Sequence, residues 1–122
     1  VTDYPSWRQA LAKANDPAFW PITAIDELIS SGHAQFWATD KAAIVTHVVT
    51  YPGGAVAVEA IAGAGSQKDM IESIGPAVET WARSIGATHL KVAGRAGWSR
   101  QMKPHGWRHY QDIIVKGLSD GQ

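Results

Sequence analysis

At 122 residues, with 45% hydrophobic and 18% charged side chains, the chain has the size and balance of one globular domain, expected to span 1–117 with a loose polar tail over 118–122. The absence of cysteine excludes disulfides, thiolate catalysis and zinc–thiolate sites, and no apolar run approaches the roughly 20 residues of a helical membrane span. Net charge is zero, yet residues 1–82 hold four basic against nine acidic side chains, a balance of −5, and residues 83–116 hold seven basic against Asp112 alone, a balance of +6. Such asymmetry marks either a basic face for an anionic partner or two halves whose charges mix on one surface.

The N-terminus, Val1-Thr2-Asp3-Tyr4-Pro5, shows no basic segment followed by an apolar core, so no signal peptide is visible. Ser6 to Gln9 predicts a helix start, with Ser6 capping and Gln9 reaching back. Trp7, Ala10, Leu11 and Ala14 then share one face, and Asp16-Pro17 ends the helix. A second helix is expected over 23–31, opened by Thr23, striped by Ala24, Ile25, Leu28 and Ile29, and stopped by Gly32. Phe19-Trp20-Pro21 between them reads as a core plug.

From Ala34 the period changes to that of strands, expected over 34–39, 42–51 and 55–62, with turns at Asp40-Lys41 and Pro52-Gly53-Gly54. Short connections make these an antiparallel meander. Gly63-Ala64-Gly65-Ser66 is expected to break the sheet before a long helix over 68–85, kinked by Gly75-Pro76 and closed by Gly86. The crossover to an apolar strand over 88–93 is long enough for a parallel, right-handed βαβ unit. Gly94 to Trp107 then carries two Gly-Trp pairs and room for one short helix, and Tyr110 to Val115 alternates like a last strand. The fold class is therefore α/β, with a mixed, mostly antiparallel sheet flanked by helices.

This order of elements, with the Gly94–Trp107 stretch and His105-Gly106-Trp107 as its Gly-aromatic pair, resembles the acyl-CoA N-acyltransferase (GNAT) fold over nearly the whole chain from Ser6. Tyr51-Pro52-Gly53-Gly54, Val78 to Ala82 and Gly94 to Trp98 are also similar to small GNAT-like proteins of tailed phages and prophages. In active members a loop of the pattern Arg/Gln-x-x-Gly-x-Gly/Ala opens the long helix and binds the pyrophosphate of CoA, where backbone amides and a helix N-terminus both favour an anion. The resemblance places Gly63, Gly65 and Ser66 there, although no Arg or Gln precedes the glycines at the family's spacing and Gln67 follows them.

The same resemblance asks for a base to take the amine's proton and a tyrosine to protonate the departing thiolate. The tyrosine's position holds Met102, and Glu59 is the candidate base. A lone carboxylate on an alternating strand more commonly faces solvent, and His47 reads as a base acting through water or as a structural residue. The five histidines show no metal-ligand spacing. Arg95, Trp98, Arg100 and Lys103 form a candidate partner-binding patch, with Arg108 and Trp107 beside it, and protein is expected there before nucleic acid.

Two functions follow. The first expectation is a phage-type GNAT-fold protein working as a structural or interaction component of a virion. Its partners would be other phage structural proteins or a second copy, its place the virion or host cytoplasm, and it would need no cofactor and no membrane. The alternative is a small N-acyltransferase using acetyl-CoA, with Glu59 acting on an amine.

Overall fold

The computed structural model describes residues 3–94 and 97–118. Its first helix, α1 (Tyr4–Ala14), starts ahead of the predicted Ser6 cap because Pro5 occupies the first turn, where a missing N–H costs nothing. Ser6 instead donates its hydroxyl to the Asp3 carbonyl at 2.7 Å. α2 (Ile22–Ser30) has Pro21 rather than Thr23 at its cap. It closes at Gly32 as predicted: the amides of Gly32 and His33 return to the carbonyls of Ile29 and Leu28 at 3.1 and 2.9 Å. Arg8 of α1 grips the Asp26 carboxylate of α2 with Nη2 at 2.7 Å, and the Tyr4 hydroxyl donates to the same group at 2.6 Å. The Arg8 guanidinium holds the Asp26 carboxyl below its ordinary range, and burial pushes the Tyr4 phenol above its own.

The meander forms as β1 (Ala34–Ala38), β2 (Ala42–Thr50) and β3 (Val56–Gly65), with β4 (His89–Lys91) parallel to β3, in the order β1-β2-β3-β4. The crossover helix is continuous over 67–84: α3 (Gln67–Asp69), a π-helical turn (Met70–Ile74) and α4 (Gly75–Ser84). Pro76 was expected to kink it. The π turn takes up the conflict, since the Gly75 amide reaches back five residues to the Met70 carbonyl and the wider turn accommodates the proline ring.

One sequence expectation is overturned here. Gly63-Ala64-Gly65 does not break the sheet: β3 runs through it, pairing Gly63 with Ile44, Ala64 with Ala43 and Gly65 with Ala42. At Gly65 the backbone has φ +95°, and a Cβ would stand 2.3 Å from the Lys41 carbonyl oxygen. Only glycine lets β3 and the β1–β2 turn approach so closely. A bulge precedes this segment, because Val45 pairs with Ala62 while Thr46 pairs with Ala60, leaving Ile61 as the extra residue. The bulge resets the alternation, so Ala62 and Ala64 share a face with Glu59 instead of opposing it.

On that face α1 and α2 pack, with Leu11, Ile25 and Val45 fully buried among Tyr4, Ala34, Ala62 and Ala64. Phe36 meets Tyr4 edge to face there, ring centroids 5.5 Å apart. Across the sheet the crossover helix buries Met70, Ile74, Val78 and Ala82, and Trp81 meets Trp37 at 5.7 Å.

The contacts divide the chain into two units, 1–92 and 93–122. The second contains α5 (Trp98–Met102) and a 3-10 turn (Lys103–His105). Trp98 closes over the backbone of Gly94 so tightly that a Cβ there would lie 2.9 Å from its ring. The expected last strand over 110–115 does not form. Residues 107–118 carry no helix or strand, and Ile114 is 92% exposed. Alternation supplies only a face; a strand also needs a neighbouring backbone, and among the described residues none pairs with this one.

Candidate functional site

Pairing between β3 and β4 stops at Glu59 opposite Lys91, yet β3 continues to Gly65. Which way its backbone points is fixed by two hydrogen bonds at the ends of the β2–β3 ladder. The Ser66 amide donates to the Lys41 carbonyl at 2.9 Å and the Tyr51 amide to the Ala55 carbonyl at 2.8 Å. Antiparallel ladders alternate bonded and unbonded residues. Ala62 and Ala64 therefore bond to β2, and the planar peptides between them turn the amides of Gly63 and Gly65 to the opposite side, away from β2. The Asn15 side chain reaches the Ile61 carbonyl at 3.4 Å. Past Glu59, the strand thus has an edge that β4 does not cover.

At the point where the pairing stops, four polar side chains meet. Glu59, one-fifth exposed, accepts a hydrogen bond from the Tyr51 hydroxyl on Oε2. Lys91 Nζ donates to the Tyr51 oxygen at 3.0 Å, stands 3.6 Å from Glu59 Oε2 and lies 4.8 Å from the centre of the Tyr51 ring. His47 Nε2 is 3.9 Å from Glu59 Oε1, and the edge-on Trp20 ring fixes the imidazole at 5.7 Å between centroids. The register explains the grouping. His47 is opposite Glu59 on β2, Lys91 is opposite it on β4, and Tyr51 lies beyond β2 with its side chain on the same face. The hydrogen bond from Lys91 to Tyr51, and secondly the charge of Glu59, raise the lysine above its ordinary value. The arrangement offers a carboxylate that accepts a proton, a phenol that donates one and an ammonium that stabilises negative charge on either.

The expected base, Glu59, is thus neither alone nor turned to solvent: it occupies the helix-bearing face of the sheet at the centre of a network. Sequence reading named His47 and Glu59 but missed Tyr51 and Lys91. The first was within reach, since the Pro52-Gly53-Gly54 hairpin sets Tyr51 and Glu59 on one face of adjacent strands. The second depends on the parallel register of β4, which no local signal encodes.

Gly63 and Gly65 lie on the open stretch of β3. Ser66 is occupied as the cap of the crossover helix, its hydroxyl accepting from the Asp69 amide at 3.2 Å. By position, the amides of Gln67 and Lys68 have no acceptor within the helix. Gln67 Nε2 is the buried side-chain polar atom left without a partner among the described residues. That orphaned donor at a helix N-terminus suits an anion or a ligand carbonyl, as does the exposed Lys68 beside it. The residues present fit a phosphate-bearing ligand, though through Gln67 and Lys68 as much as through the glycines.

Of the expected partner patch, Arg95 lies outside the described residues. Arg100 and Lys103 are exposed on α5 and the turn after it, and Trp98 is half-buried against Gly94. Met102 is buried and supplies no phenol. Among the described residues no three His, Asp or Glu side chains are placed to hold a metal.

No family model matches the chain, and no curated protein is significantly similar to it in sequence. Solved structures resemble it in fold instead. A point mutant of TTHA1254 from Thermus thermophilus superposes with a TM-score of 0.62 at 12% identity, over 99% of this chain and 93% of its own. An acetyltransferase of Trypanosoma brucei gives 0.62 at 11% identity over 96% and 94%. The aminoglycoside antibiotic 6'-N-acetyltransferase of Acinetobacter haemolyticus, in its apo form, gives 0.60 at 11% over 97% and 93%. The chain has a GNAT-like fold.

Proposed function

We propose that the protein is a small acyl-CoA-dependent N-acyltransferase. The observation that carries this reading is the position of Glu59: a half-buried carboxylate, hydrogen-bonded to a tyrosine and paired with a lysine, at the place where β3 loses β4 and its edge opens. An extended thioester arm bearing amides can add to such an edge as a strand would, using the outward groups of Gly63 and Gly65. The Gln67 and Lys68 end of the crossover helix then suits the pyrophosphate. Glu59 takes the proton that the amine loses, with His47 beside it. Two of the structural neighbours are acetyltransferases, which supports the same reading.

The expectation of a non-catalytic virion component rested on the degenerate Gly63–Ser66 loop, the missing tyrosine and the six tryptophans. Glu59 is not alone, Tyr51 just beyond β2 supplies a phenol, and neither acetyltransferase neighbour speaks for a virion. Acetyl-CoA with a panel of kanamycin, spermidine, tyramine and a short peptide with a free N-terminus, followed by thiol release, tests the proposal. Turnover of at least one amine that is lost in Glu59→Gln supports it. No turnover with any, by protein that is folded, counts against it.

A further inference from the structure

We propose that Tyr51 is the catalytic acid of this enzyme and that its hydrogen bond to Glu59 closes a proton circuit within the site, with Lys91 as the positioning residue. The inference rests on the transferase reading and deepens it. The position where the fold's relatives carry an acid tyrosine holds the buried Met102, so the thiolate needs another donor. Tyr51 has its hydroxyl on Glu59 Oε2 and receives Lys91 Nζ at 3.0 Å. An acid and a base in one enzyme are usually reset through solvent. Here they touch.

The step balances as follows. The neutral amine attacks the thioester carbonyl carbon, the C–N bond forms and the C–S bond breaks. The amine's surplus proton passes to the Glu59 carboxylate, and the leaving sulfur takes the proton of the Tyr51 hydroxyl. The phenolate charge that develops faces the Lys91 ammonium, which lies over the ring as well as against the oxygen. Glu59, now protonated, returns its proton to Tyr51 across their shared hydrogen bond. Both groups are restored, and the net change is one proton moved from nitrogen to sulfur. His47, at 3.9 Å from the other carboxylate oxygen, flanks the side of Glu59 left free for the amine.

The test compares wild type and Tyr51→Phe with two acetyl donors, acetyl-CoA and the acetyl ester of 4-nitrothiophenol, using whichever panel amine turns over. Phenylalanine keeps the ring and removes the hydroxyl, and with it the proton and the acceptor of the Lys91 hydrogen bond. With acetyl-CoA the variant should lose about 100-fold in kcat, the usual contribution of a positioned acid, with CoA binding and melting temperature close to wild type. With the aryl thioester, whose thiolate leaves without a proton, the loss should shrink to a few-fold. Lys91→Gln should show a smaller loss with the same dependence on donor, and it keeps the question answerable if Tyr51→Phe does not fold. An active wild type whose variants lose nothing, or lose equally with both donors, overturns the circuit and leaves the transferase standing. A wild type that turns over no amine removes both.

Discussion

Two stretches of this chain have the same alternating apolar pattern and end differently. Residues 56–65 form the centre of a sheet, flanked by β2 and β4 and covered by helices on both faces. Residues 110–115 alternate as well, yet carry no strand and leave Ile113, Ile114 and Val115 66–92% exposed. Pattern selects a face; only a partner backbone turns it into a strand. β3 finds its first partner across a short hairpin, where the turn chemistry fixes the register. The contrast extends to charge. The basic residues of α5 and its following turn stand apart on an exposed surface, whereas the single lysine of β4 is held against Tyr51 and Glu59.

The proposed chemistry lies on the first stretch, at Glu59, and not on the basic residues of α5 and its following turn. Glu59→Gln should lower turnover by about 10²- to 10⁴-fold, the range for a general base, while Arg100→Glu with Lys103→Glu leaves kcat unchanged. Steady-state kinetics on the three proteins decides this, and the reverse ranking would move the active centre to the basic segment. In stability, Leu11→Ala, which empties a fully buried position under the sheet, should cost about 2–5 kcal/mol. Ile114→Ala should stay within about 0.5 kcal/mol, as exposed positions do. Urea denaturation measures both, and a large cost at Ile114 would show that the segment has a partner. Gly65→Ala should cost about 1–3 kcal/mol, since it combines a positive φ with a clash on the Lys41 backbone.

The smallest effects are those of pH. Asp26 is held below its ordinary value of 3.8 by Arg8. Its contribution is present above that value and is lost as pH falls through the lower, folded one. The α1–α2 junction should therefore loosen only in strong acid, and Asp26→Asn should flatten that part of the stability profile. Lys91 is raised above 10.5, so its contribution is complete below that value and declines as pH rises through the folded one. Lys91→Met should remove the alkaline decline.

Much of the fold was legible because its signals are local. Proline and glycine punctuate both early helices, β-branched residues mark β2, and the apolar stripe of the crossover helix holds despite Pro76. What escaped was set by long-range contact. Gly63 to Gly65 look like a breaker, and they continue the strand because β2 offers a paired backbone and Gly65 has no Cβ to meet Lys41. Glu59 and His47 were visible as candidates, but Lys91 was not, since it arrives by a parallel register that a crossover helix defines. Tyr51 was hidden by expectation: the fold's usual acid lies on a different element.

The proposed transferase requires the edge beyond Glu59 and the adjoining helix N-terminus to hold an acyl-CoA. Calorimetric titration with acetyl-CoA, and with desulfo-CoA as the unreactive control, tests it most directly. Both should bind at micromolar concentration, weakened about tenfold by Lys68→Glu and left unchanged by Arg100→Glu. No heat up to millimolar ligand would contradict it.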